Sequence, residues 1–182
     1  GEHQPSTEQS TCLPCKAGTY QMIPGQETCE ICPEGYFCPK QTKTPIECGS
    51  VSSFCTAGSI TPLLAQAGKY TTPDSVESEQ TRTAASFCPS GYACRGGVKT
   101  SCVAGTFQPD AGKSSCNVCS SCGPGKYVAM ECTISSDRIC ESCPGGSASL
   151  GGQTECSECG DGKPTNNETS ASICTTCPQY EE

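Results

Sequence analysis

The aromatic residues of this chain keep a fixed offset from cysteine, with a glycine between them. In Cys102-Val103-Ala104-Gly105-Thr106-Phe107 and in Cys122-Gly123-Pro124-Gly125-Lys126-Tyr127, a Cys is followed by two residues, a Gly, and an aromatic two positions on. The same Cys-x-x-Gly recurs at Cys15/Gly18, Cys32/Gly35, Cys55/Gly58, Cys88/Gly91, Cys143/Gly146 and Cys159/Gly162, eight copies in all. A Gly at that place predicts a tight turn with φ > 0, then an extended segment whose aromatic covers the sulfur. Recurrence on this scale marks a repeat protein. Elsewhere the apolar pattern is thin. The longest aliphatic run is Leu63-Leu64-Ala65, too short to cross a bilayer, so no membrane span is expected in this segment. Residues 1–11, GEHQPSTEQST, are polar and aperiodic and predict a mobile leader.

The spacing between cysteines adds the second strand. Cys15 and Cys29 enclose 13 residues, with Gly18 and Gly25 between them, and Cys102 and Cys116 enclose 13, with Gly105 and Gly112 in register. Cys143 and Cys156 enclose 12, with Gly146 and Gly152; Cys159 and Cys174 enclose 14, with Gly162 and then Ser170 in the second glycine's place. Each span predicts a short two-stranded ribbon stapled at its ends by one disulfide. Closing a loop of ~15 residues contributes roughly 3 kcal/mol in the chain-entropy model. A different phrase, Cys-Pro-x-Gly-Tyr-x-Cys, stands at Cys32–Cys38 and Cys88–Cys94. Residues 56–87 lack cysteine, yet Ala65-Gln66-Ala67-Gly68-Lys69-Tyr70 repeats the opening phrase with Ala in the Cys place, as in a unit that lost its staple. The polar stretch after it, TTPDSVESEQTRTAAS, predicts the loosest and most protease-sensitive loop.

Composition explains why staples are needed. Of 182 residues, 20 are Cys, 20 Gly and 14 Pro, whereas Val, Ile, Leu, Met and Phe together number 23 and Trp is absent. So few large side chains cannot offset the entropy of ordering the backbone. The expected fold class is therefore small and disulfide-rich: an elongated tandem array of short two-stranded β-ribbon modules with little helix and minimal hydrophobic core. The net charge of −8 excludes a phosphate-backbone partner, because nucleic-acid binders need a basic face.

Two runs look familiar. CNVCSSCGPGKYVAMECTISSDRIC, with Cys-x-x-Cys-x-x-Cys, then Cys-Thr, then Asp-Arg-x-Cys, resembles the cysteine-rich module of tumour necrosis factor receptors. The repeated Cys-x-x-Gly-Thr-Tyr/Phe, with Gly before the next Cys, resembles the ephrin-receptor-like cysteine-rich repeats of large surface proteins in protists, algae and animals. The receptor resemblance implies Cys102 with Cys116, Cys119 with Cys132 and Cys122 with Cys140. Ribbon spacing adds Cys15 with Cys29, Cys143 with Cys156 and Cys159 with Cys174. Cys32, Cys38, Cys48, Cys55, Cys88 and Cys94 remain, with 15 possible connectivities. Cys12 and Cys177 fall at the two ends, where each would pair into a neighbouring module. The expected division is a leader at 1–11, cysteine-rich modules at 12–48 and 49–101 (the second carrying the long polar insertion), a receptor-like module at 102–142, and further modules at 143–182.

Rival chemistry fits less well. Cys12, Cys15, Cys29 and Cys32 have the spacing of a four-cysteine zinc ribbon, but the Cys-x5-Cys pairs and the overlapping triple Cys116, Cys119, Cys122 favour disulfides. Cys-x-x-Cys pairs repeated along a chain suit cross-linking better than redox exchange. Asp110, Asp137 and Asp161 stand singly, as turn formers do, and not at calcium-loop offsets. The only histidine, His3, lies in the leader without a positioned partner, so no enzyme, metal or other cofactor is expected. Asn167-Glu168-Thr169 is an N-glycosylation acceptor in a secreted chain. The functional expectation is an extracellular or cell-surface protein-interaction rod of a receptor or adhesin. The alternative is a self-assembling spacer or subunit of an extracellular filament, wall or appendage.

Overall fold

A computed structural model describes residues 1–5, 11–160, 171, 173 and 174. The repeated phrase folds as the glycines require. In each described copy the backbone N–H of the residue after the Gly closes a four-residue turn on the carbonyl three positions back, as from Thr19 to Lys16 (3.1 Å) and from Thr106 to Val103 (2.9 Å). The glycine third in that turn has φ near +80°: Gly18 is at +84° and Gly105 at +81°. This is the type II turn, whose third position is open to glycine because a Cβ would clash there. The chain leaves it as a strand, returns antiparallel, and ends on a cysteine whose N–H donates to the turn glycine's carbonyl: Cys32 to Gly18, Cys119 to Gly105 and Cys143 to Gly125, all at 2.9 Å.

Nine two-stranded sheets result among the described residues. In chain order they begin with β1 (Glu2–His3) against β2 (Leu13–Pro14), then β3 (Thr19–Tyr20) against β4 (Glu30–Ile31). Next come β5 (Tyr36–Phe37) with β6 (Ile46–Glu47), and β7 (Ser53–Phe54) with β8 (Leu63–Leu64). The longer β9 (Lys69–Thr72) pairs four residues deep with β10 (Ala84–Phe87), and β11 (Tyr92–Arg95) pairs with β12 (Val98–Ser101). After β13 (Thr106–Phe107) with β14 (Asn117–Val118) stand β15 (Lys126–Met130) and β16 (Ile139–Ser142), whose register slips at a bulge between Val128 and Met130. The last described pair is β17 (Ser147–Ala148) with β18 (Ser157–Glu158). The helical element among the described residues is one short 3₁₀ turn, Val76–Ser78. A nearly helix-free, disulfide-rich tandem array of β-ribbons is the observed fold.

The chain gathers into two compact units, one of residues 1–100 with 111–115 and one of 101–110 with 116–182. Within the first, turn glycines bond from ribbon to ribbon: Gly18 N–H to the Cys38 carbonyl (2.7 Å), Gly58 to Cys32 (2.8 Å) and Gly112 to Cys88 (2.7 Å). Within the second, Gly125 donates to Ser149 (2.7 Å) and Gly152 to Cys122 (2.9 Å). Among the described residues, ten of the twelve buried apolar ones are cysteines, joined by Val128 and Ala148. Leucine and isoleucine side chains lie outside instead, as does Phe87; Leu64 is 73 % exposed and Phe87 69 %.

Two regions read as loose in the sequence are anchored. The leader's first residues form β1, so pairing with Leu13–Pro14 fixes that end of the segment expected to be mobile; residues 6–10 lie outside the described set. The stretch TTPDSVESEQTRTAAS supplies the ends of β9 and β10, and its loop returns hydrogen bonds to the body: Gly49 N–H to the Gln80 carbonyl (3.0 Å) and Cys55 N–H to Arg82 (2.9 Å). Polarity there serves backbone pairing with neighbouring ribbons, which composition alone does not reveal.

Candidate functional site

The residues singled out in the sequence are mostly cysteines, and the structure joins them in nine bridges among the described residues. Cys15 is bonded to Cys29, Cys102 to Cys116, Cys119 to Cys132, Cys122 to Cys140, Cys143 to Cys156 and Cys159 to Cys174. The six cysteines with open connectivity pair locally: Cys32 with Cys38, Cys48 with Cys55 and Cys88 with Cys94. The Cys-Pro-x-Gly-Tyr-x-Cys phrase thus closes on itself, because the type II turn between its cysteines brings the chain back within six residues. Cys12 carries a free, exposed thiol. Cys177 and Asn167 lie outside the described residues. The four cysteines with zinc-ribbon spacing are divided, Cys15 going to Cys29 and Cys32 to Cys38. His3 Nδ1 lies 3.1 Å from Cys29 Sγ, a sulfur already committed to Cys15.

In the second unit, the chain between Cys119 and Cys140 is shaped by Asp137. Its carboxylate accepts from the Ser120 backbone N–H (2.7 Å), the Ser120 hydroxyl (2.6 Å) and the Arg138 N–H (2.7 Å). Arg138 reaches across to donate to the Ser120 carbonyl (3.1 Å) and pairs with Glu131 (3.1 Å). The Ser120 hydroxyl, followed by the backbone donors and the Arg138 charge, holds the Asp137 carboxyl below the usual carboxylate range. The Asp-Arg-x-Cys phrase therefore clamps the Cys119–Cys132 loop onto the Cys122–Cys140 ribbon.

Aromatic residues of the repeat are half-buried, and two of them use the hydroxyl in the same way. Tyr20 donates to Glu30 and Tyr127 to Glu141, each at 2.8 Å across its ribbon, and the carboxylate acceptor raises the pKa of both phenols. In the first unit, Lys99 on β12 packs its ammonium 4.7 Å from the centre of the Tyr70 ring and 5.8 Å from that of Tyr92, and pairs with Asp74 at 2.8 Å. The bond to Asp74 raises the Lys99 pKa and lowers that of Asp74. Nearby, Arg82 is 95 % out of solvent. Sequence reasoning missed this grouping, since Asp74, Arg82 and Lys99 are far apart in the chain and none of these three belongs to a cysteine phrase.

Comparison with known proteins fits this geometry. The TNFR/NGFR cysteine-rich region matches residues 102–140, the span of the Cys102–Cys116, Cys119–Cys132 and Cys122–Cys140 bridges. A mouse protein, "Signal peptide, CUB and EGF-like domain-containing protein 2", is 31% identical over 134 residues, which is 66% of this chain and 11% of that protein. The chain thus spans about a tenth of the length of that relative. Among the described residues, no helix is long and apolar enough to cross a membrane. Nine bridges of this kind belong to an oxidising compartment, and the chain is an extracellular or cell-surface, disulfide-rich protein with a TNFR-like cysteine-rich module at residues 102–140.

Proposed function

We propose that this segment is a protein-binding element of a cell-surface receptor or adhesin, in which stapled ribbons hold contact loops in fixed places. One observation carries the reading: cysteines occupy the interior, leaving large apolar side chains on the surface of a rigid backbone. Rigid apolar and aromatic groups lose little entropy on contact and supply most of the energy of protein interfaces. Within 102–140, the TNFR/NGFR resemblance supports the same role, as members of that class mediate protein interactions. The ephrin-receptor-like character of the flanking ribbons is part of this proposal. It rests on their shared turn and closing hydrogen bond. No catalytic step is assigned to the chain.

The test uses the secreted, oxidised chain. Analytical ultracentrifugation across a concentration series should give a monomer, and the immobilised chain should retain a heterologous extracellular protein that the reduced, alkylated chain does not. Concentration-dependent end-to-end or lateral association with no such capture would favour the spacer or filament reading instead.

A further inference from the structure

Among the described residues, Arg82 is the one charged side chain that is buried, at 5 % exposure. Its Nη1 makes a long contact of 3.4 Å to the Ser78 hydroxyl, and its Nε is buried without a hydrogen-bond partner. Among the described residues no carboxylate forms an ion pair with it. A guanidinium taken out of water in this way carries a desolvation cost that one long hydrogen bond and the nearby Asp74 charge offset only in part. The backbone keeps it there: the Arg82 carbonyl accepts from Cys55 N–H at 2.9 Å, and Thr83 N–H donates to Thr72 at 2.8 Å.

Arg82 lines a cleft of about 180 Å³ between the loop after β9 and strand β12, walled by Val51, Asp74, Glu79, Val98 and Lys99. Lys99 and Asp74 neutralise each other. Arg82 therefore has a long bond to Ser78 and the Asp74 charge nearby but no carboxylate at ion-pair distance, and its Nε with the adjacent Nη2 forms the side-on fork that fits one. Val51 and Val98 offer apolar wall for a short aliphatic stem. We propose that this cleft is a binding site for a single carboxylate group on a short stem, anchored by Arg82. The carboxylate comes either from a small free acid or from an acidic side chain of a bound protein. The first source stands whether or not the chain is a receptor segment.

The test follows the Arg82 Nε–H resonance in the ¹³C,¹⁵N-labelled, fully oxidised chain. Sodium acetate is titrated against sodium chloride at equal ionic strength, and acetyl-Gly-Glu-Gly-amide is titrated in a parallel arm. The expected result is a saturable shift with acetate beyond that with chloride, retained in Glu79→Gln; in Arg82→Gln, which lacks that resonance, the backbone amide of Lys99 in the same cleft is followed instead, and its acetate response should be weakened at least about tenfold, as loss of a charge-assisted pair requires. Tighter binding of the peptide than of acetate assigns the source to a protein side chain; equal binding assigns it to a free acid. An Arg82 signal that responds to acetate no more than to chloride would overturn the proposal. So would scalar coupling from Arg82 Nε to the Glu79 carboxyl carbon, which would show the site filled from within. These readouts use the wild-type chain and Glu79→Gln, so they remain decisive should Arg82→Gln fail to fold.

Discussion

Gly18 and Gly105 occupy the same turn at φ +84° and +81°, yet an added methyl group would meet different surroundings at the two places. At Gly105 nothing lies within 4 Å, whereas at Gly18 the new Cβ would stand 2.6 Å from the Gly58 carbonyl oxygen. Gly105→Ala should therefore carry only the left-handed backbone penalty, about 1 kcal/mol after the smaller unfolded-state entropy of alanine is credited. Gly18→Ala must also push a ribbon backbone aside, and should cost about 1–2 kcal/mol more. Urea unfolding with disulfides intact measures both, and equal losses would show that the close approach is not rigid. Asp137 gives a second test at this scale. Its folded-state pKa lies below the unfolded value of about 3.9, so its contribution is complete above that pH and is lost as pH falls through the folded value. The thermal midpoint of wild type should therefore drop more between about pH 5 and pH 2 than that of Asp137→Asn, whose side chain does not titrate. Parallel curves would mean that the Ser120 clamp adds nothing. The need for glycine was legible at both turns because φ is dictated locally. The crowding at Gly18 was not, since it comes from a residue forty positions away.

At the scale of one ribbon, the unit that lost its staple shows what a disulfide replaces. Lys69 pairs with Phe87 as Thr19 pairs with Ile31, so Ala65 stands where Cys15 does and Ala85 where Cys29 does. Without the bridge, this ribbon runs four pairs where the stapled β3–β4 runs two, and Lys69 lies 4.8 Å from the centre of the Phe87 ring. Extra backbone pairing and a cation–π contact stand in for the covalent link. Restoring the pair as Ala65→Cys with Ala85→Cys should form a tenth bridge beside the nine described. It should lower the mass by two hydrogens and raise stability by up to about 3 kcal/mol, less any strain. Intact-mass analysis before and after alkylation decides it; two free thiols in the folded protein would refute the equivalence. The sequence flagged Ala65 through its Gly68-Lys69-Tyr70 context. It hid Ala85 because the longer loop, with Arg82 turned inward, breaks the spacing that located Cys29, Cys156 and Cys174 as ribbon partners.

Across the whole molecule, sulfur takes the place of hydrocarbon, and burial ranks the bridges. Cys32–Cys38 and Cys88–Cys94 have all four residues at 0 % exposure, while Cys119, Cys132, Cys159 and Cys174 are each only half-buried. A thiolate must reach a sulfur to exchange with it, so a sealed bridge opens only when its surroundings unfold. The cysteine spacing made the staples and the ribbon class legible, since loop length and turn chemistry are local. It did not reveal which bridges are sealed, because that depends on glycine-to-carbonyl contacts between ribbons such as Gly58 on Cys32 and Gly112 on Cys88. Stepwise reduction of the native chain, with alkylation and peptide mapping at each step, should therefore open Cys119–Cys132 and Cys159–Cys174 first. The Cys32–Cys38 and Cys88–Cys94 bridges should yield last, together with loss of the folded signal in circular dichroism. If the sealed pairs open early while that signal persists, the ribbons are held by something other than their cystine interior. If all bridges open together, access is governed by one global unfolding event and the local ranking by burial carries no weight.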